Sequence, residues 1–189
     1  MDTARHERTY PREHGSESGT EDGNAGLHFH VRKTLLGTEA QAKLLVFAKH
    51  FSNEQVEVSR RTPGSFSRWA QCQMVAEPQF CADVSNKSRK KLNYVIEHYV
   101  NSGCRPRHVA INLSNRRTVE FRFFKGTLVP EYLSAAFEFV NFMTELSLKT
   151  TPGNVYRMTG NSFKAKAKEY SEALDKYVTA ADKKELLAA

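Results

Sequence analysis

The first 25 residues contain no valine, isoleucine, leucine, phenylalanine or tryptophan. A segment so poor in apolar side chains cannot bury enough surface to offset the entropy of ordering, so residues 1–25 are expected to form a disordered lead. They also lack the apolar stretch of a secretory signal. No apolar run approaches the ~18 residues that a membrane span needs, and no membrane partner is expected. Cysteine is scarce and odd in number. Cys72, Cys81 and Cys104 form no C-x-x-C pair, which argues against a disulfide framework or a zinc knuckle and for a reducing, cytoplasmic setting. Acid is in deficit too: 28 Lys and Arg stand against 21 Asp and Glu, a formal charge of +7 with a pI near 9.4. That excess favours an anionic partner, and nucleotide phosphate and nucleic acid satisfy it equally.

What is present suffices for one soluble domain with a real core: 189 residues, 40% of them hydrophobic. Patterned sequence begins at AGLHFHVRK, where Leu27, Phe29 and Val31 alternate with His28 and His30 as in a strand. TEAQAKLLVFAKHF reads as a helix, with Thr38 and Gln41 in a capping-box pattern and Leu44, Phe47, Ala48 and Phe51 on one stripe. QVEVSR reads as a short strand leading into a basic loop, RRTPGSFSRWAQ. SRKKLNYVIEHYVNSG has the stripe of a second amphipathic helix, capped by Ser88 and closed by Gly103. Pro130 and Glu131 open a third helix running through Leu133, Phe137, Val140 and Thr144, which TTPGN breaks. One final helix is expected from Ser162, its thin stripe formed by Tyr170, Ala173, Leu174, Tyr177 and Val178. The expected division is a lead over 1–25, a catalytic region over 26–150, and a loop with a C-terminal helix over 151–189.

The most informative segment is HVAINLSNRRTVEFRFF, two alternating runs around a polar turn and therefore a β-hairpin. A three-residue loop, Asn115 to Arg117, pairs Val109 with Phe123, Ile111 with Phe121 and Leu113 with Val119 on the core face; an even loop would set apolar residues against charged ones. The same register places Asn112 opposite Glu120 and small Ala110 opposite Arg122. Glu120 and Arg122 then share the second face of a very apolar strand, while His28 and His30 share one face of another. Two imidazoles, a carboxylate and a guanidinium are costly to bury unless they serve one another or a ligand. Histidine with a carboxylate can hold a cation, and arginine can grip a phosphate or carboxylate bidentately.

Three pieces together, GLHFHVRK, AINLSNRRTVEFRFFKGTL and the helix PEYLSAAFEFVNFM, resemble the amidoligase family of the glutamine synthetase and glutamate–cysteine ligase superfamily. The similarity spans about residues 25–150. It implies an α+β fold, a curved antiparallel sheet with flanking helices, whose concave face holds ATP and Mg2+. It also implies ATP-dependent phosphorylation of a carboxylate and amine attack on the acyl phosphate, giving an amide; the carboxylate and amine substrates could be peptide or protein groups. Carried over by position, His28 matches a contact to metal and nucleotide phosphate, and His30 a residue near the nucleotide. Glu120 matches the metal-binding glutamate, and Arg122 the arginine that steadies the phosphorylated carboxylate. Arg60 or Arg61 is the further phosphate contact, and Asn112 either orients Glu120, touches substrate or makes a plain cross-strand contact. The acidic Glu-x-Glu strand of the family's first half has no counterpart here. The expectation is therefore a truncated or split copy, with a partner chain supplying the acidic strand.

Two other readings stand beside this one. Arg60, Arg61, Arg68, the run Lys87 to Lys91, Arg105, Arg107, Arg116 and Arg117 could serve a basic nucleic-acid-binding module, although no aromatic stacking motif interleaves with them. A non-catalytic remnant of the fold is the third.

Overall fold

The computed structural model describes residues 26–70, 96–97, 108–151, 154 and 157–188. The expected disordered lead, the second amphipathic helix apart from the helical Ile96 and Glu97, and all three cysteines lie outside the described residues. The architecture is α+β and mostly helical. Strand β1 (Gly26–Arg32) is followed by helices α1 (Lys33–His50), α2 (Ser52–Ser59) and α3 (Pro63–Trp69). Strands β2 (Ile111–Asn112) and β3 (Thr118–Lys125) come next, then α4 (Pro130–Lys149), α5 (Gly160–Tyr170) and α6 (Glu172–Ala188). The three strands form one antiparallel sheet in the order β1-β3-β2. Among the described residues no helix is long and apolar enough to cross a membrane.

The central strand takes the register that parity demanded, with Ile111 opposite Phe121 and Asn112 opposite Glu120. The Arg122 amide donates to the Ala110 carbonyl at 2.9 Å, extending the contact one residue further. Strand β2 is short because the Asn112 side chain turns the chain away. Its Oδ1 accepts from the Ser114 amide at 2.9 Å, an Asx-type turn that competes with the ladder. On the other side, Leu27 pairs with Phe124 but Phe29 pairs with Phe121, so β3 carries one residue more than β1 across that interval. This β-bulge at Arg122 and Phe123, opposite His28, explains why the adjacent Phe123 and Phe124 are both buried. Their rings meet Phe139 of α4 edge-on at 5.8 and 6.0 Å between centroids.

Helix α1 is central. Every residue from Ala40 to Ala48 is buried, more than a single stripe, because the run LLVFA is packed on several sides. Gly37 breaks helical geometry with φ +63°, so the uninterrupted helix runs from Thr38, but α1 itself begins earlier, at Lys33, and no side chain caps that start. Lys43 is buried within α1; its ammonium donates to the Thr150 carbonyl at 2.8 Å at the C-terminus of α4, where a cation is favoured.

Four expectations need correcting. QVEVSR is helical, because Phe51, Gln55 and Val58 fall at i, i+4 and i+7 and are buried together, which outweighs the two-residue alternation of Val56 and Val58. Most of the expected basic loop is helix α3: Pro63 opens it and the Thr62 hydroxyl accepts from the Ser65 amide at 3.2 Å. Helix α4 buries Ala136, Phe139, Val140 and Met143, leaving Leu133 and Phe137 exposed. The final helix is two helices, because Ser171 is extended at the junction and its Oγ accepts from the Leu174 amide at 3.2 Å, a cap that restarts the helix. Both join the same core: Phe163 of α5 stacks on Phe51 at 4.2 Å, and Leu174, Tyr177 and Val178 of α6 are buried.

Candidate functional site

Alternation along β1 and β3 brings His28, His30, Glu120 and Arg122 to one face of the sheet. Glu120 is its centre. The Arg122 guanidinium donates to Oε1 at 2.6 Å, His28 Nδ1 lies 3.1 Å from the same oxygen, and His30 Nε2 lies 3.8 Å away. The Asn112 amide donates to Oε2 at 2.8 Å across the strand pair, while its own oxygen is fixed by Ser114. Asn112 is thereby a cross-strand contact that orients the carboxylate. His30 is tied sideways by a 3.1 Å contact between Nδ1 and the Thr118 hydroxyl.

This face is wet only at its rim. Side-chain exposure is 9% for Glu120 and 18% for Arg122, against 35% for His28 and 47% for His30. Three side chains, Arg122, His28 and Asn112, converge on the buried carboxylate. Only an N–H suits a carboxylate at 3.1 Å, so His28 presents its Nδ1 proton to Glu120 and its Nε2 lone pair elsewhere. Burial, then the Arg122 charge, push the His28 pKa below its ordinary value, outweighing the opposite pull of Glu120. The imidazole is accordingly neutral near neutral pH, and Nε2 is free to accept a proton.

Arg60 and Arg61 lie in different places. Arg61 is buried, and its guanidinium donates to the carbonyls of Phe123 and Phe124 at 3.2 and 3.0 Å, beside the bulge. Its charge reaches the cluster, lowering the His28 pKa, and Arg122 in turn lowers that of Arg61 after burial. The motif glycine is explained by the same guanidinium. A Cβ on Gly26 would lie 2.6 Å from an Arg61 terminal nitrogen and 3.0 Å from His28 Nε2. Arg60 faces elsewhere, its guanidinium 4.4 Å from the Tyr177 ring centre. Among the basic residues of the nucleic-acid reading, Arg116 and Arg117 are exposed, whereas Lys87 to Lys91, Arg105 and Arg107 lie outside the described residues.

The donor set does not fit a resident magnesium ion. Magnesium prefers several oxygen ligands, and Glu120 is one carboxylate whose two oxygens are engaged by Arg122, His28 and Asn112. No group of three or more His, Cys, Asp or Glu among the described residues is arranged to hold a metal ion. The set fits an anion better. Among the described residues, Arg122, His28, His30 and Arg61 surround a single negative charge, and the buried Nε–H of Arg122 has no hydrogen-bond partner. Sequence reasoning missed the part Gly26 plays, which becomes visible only when Arg61 is placed, and the bulge, of which the doubled Phe123-Phe124 was the one sign.

No family model, curated protein or solved structure matches the chain.

Proposed function

We propose that this polar face is the anion-handling half of an ATP-dependent carboxylate–amine ligase site, as the amidoligase resemblance implies. The observation that carries the reading is the donor excess around Glu120: a buried carboxylate already satisfied by Arg122, His28 and Asn112, with the Arg122 Nε–H still unclaimed. A buried donor without an acceptor costs roughly 1–3 kcal/mol, which a phosphate or carboxylate oxygen would recover.

In this reading Arg122 and Arg61 hold phosphate or acyl-phosphate oxygens while Glu120 and Asn112 keep the guanidinium of Arg122 in place. When a carboxylate oxygen attacks the terminal phosphorus of ATP, ADP leaves and an acyl phosphate forms. The amine then displaces phosphate, and its proton needs an acceptor. His28 Nε2 suits that task, because Glu120 fixes the tautomer and burial with Arg122 keeps the ring neutral. Carboxylates for magnesium would come from an acidic strand of a partner chain. Strand β1 stands at the edge of the described sheet, with His28 and His30 on its exposed side.

The test is direct titration of ATP, with and without magnesium, into the chain and into the Arg122→Gln and Arg116→Gln variants. Weak but saturable binding, lost in Arg122→Gln and kept in Arg116→Gln, supports the reading. Binding lost equally in both variants, with steep salt dependence, would assign it to general basic charge of the nucleic-acid kind.

A further inference from the structure

A second site lies beyond the polar face, where α2 ends. Arg60 is the one described non-glycine residue with positive φ, +58°, and it closes α2 in the left-handed conformation. That conformation costs an L-residue about 1–2 kcal/mol, and such strain persists only where the surroundings enforce it. Here they do. The guanidinium lies 4.4 Å from the Tyr177 ring centre and 5.5 Å from that of Tyr132, and it donates to the Tyr177 carbonyl at 3.0 Å. Tyr177 is itself anchored, its hydroxyl donating to the Val58 carbonyl at 2.7 Å. Yet the buried Nε–H of Arg60 has no hydrogen-bond partner among the described residues.

Arg60 lines a cavity of about 410 Å³; among the described residues its other cation is Lys125, and no described carboxylate lines it. The volume falls within the range of small-molecule sites, roughly 300–1,000 Å³. The backbone of Lys125 pairs with Gly26 in the sheet, and its ammonium makes no hydrogen bond or ion pair with another described residue. The remaining wall is largely apolar, with Phe124, Leu128, Val129 and Tyr132. None of the residues on the polar face lines it.

We propose that this cavity binds a small amphipathic carboxylate, drawn by the Arg60 guanidinium and the Lys125 ammonium, with its apolar body lying along Leu128, Val129 and Tyr132. Two donors match two carboxylate oxygens, whereas a phosphate would leave oxygens facing apolar walls. The site is independent of the ligase reading, since Arg122 and His28 take no part.

The experiment titrates hexanoate, hexylamine and inorganic phosphate into the full chain, following the backbone amide resonances of Gly126, Thr127 and Leu128. Hexanoate should shift these resonances saturably, and both other probes should bind at least several-fold more weakly. Lys125→Glu should weaken hexanoate about tenfold or more, as loss of a charge-assisted hydrogen bond does, and Lys125→Ala should weaken it less. Both variants should melt like the parent, because the Lys125 side chain bonds no other described group and its backbone pairing with Gly26 is kept. Arg122→Gln should leave hexanoate binding unchanged. Hexylamine or phosphate binding as tightly as hexanoate, or Lys125→Glu without effect, would overturn the proposal.

Discussion

Replacing Glu120 with glutamine keeps the side chain's shape and removes its charge, which makes it the sharpest perturbation of the polar face. Arg122 and His28 donate to Oε1 and Asn112 donates to Oε2, so whichever way the new amide turns, its NH2 group meets a donor. The Asn112 amide cannot turn to accept instead, because its oxygen already takes the Ser114 amide and hydroxyl protons. The change therefore loses one charge-assisted bond and leaves buried donors face to face. Glu120 is almost fully buried while Arg122 and His28 keep some water, so the cost is set below that of a fully buried ion pair, at about 2–4 kcal/mol. For a chain of this size that is a fall of roughly 4–16 °C in melting temperature, measurable by calorimetry. Nucleotide affinity should move the other way and strengthen, because a negative charge has left a face that receives phosphate. An unchanged melting temperature would mean that Glu120 does not organise the face. Loss of magnesium–ATP binding in a folded variant would mean that Glu120 touches the cation after all.

Two further outcomes follow from the same geometry. Because the His28 pKa lies below 6.5 in the folded state, the stability it contributes is present above that value and is lost as pH falls through the lowered pKa; Arg122→Gln should raise the pKa, read from imidazole resonances, and a fall or no change would refute the stated cause. Gly26→Ala should cost about 1–3 kcal/mol by chemical denaturation, because its Cβ would meet Arg61 at 2.6 Å and Arg61 holds the carbonyls at the bulge; a neutral substitution would show that this guanidinium moves freely.

Much of this was legible from residue parity. Val119 and Phe121 against Glu120 defined both faces of β3, and matching them to Ile111 and Asn112 set the register now observed. The Pro130 start of α4 was readable for a local reason, Pro130 with Glu131, whereas α1 begins at Lys33, ahead of the Thr38 and Gln41 pattern. What failed was parity over short stretches. Four residues of QVEVSR cannot separate a two-residue period from a helical one; the deciding partner, Phe51, lies outside the motif, and its burial depends on Phe163 far along the chain. The Ser171 break was missed because Leu174 and Tyr177 continue a helical stripe across it. The place of Arg61 was invisible for a deeper reason, since the carbonyls it satisfies at the bulge exist only once β1 and β3 have paired out of strict alternation.

The most direct test of the central claim is to locate nucleotide on the folded protein by side-chain resonances. ATP titrated with and without magnesium should shift the imidazole signals of His28 and His30 and the guanidinium Nε signal of Arg122. Those of Arg116 and Arg117 should stay in place. If the exposed arginines of the hairpin turn respond and His28 and Arg122 do not, the polar face is a structural ion-pair cluster and not an anion site.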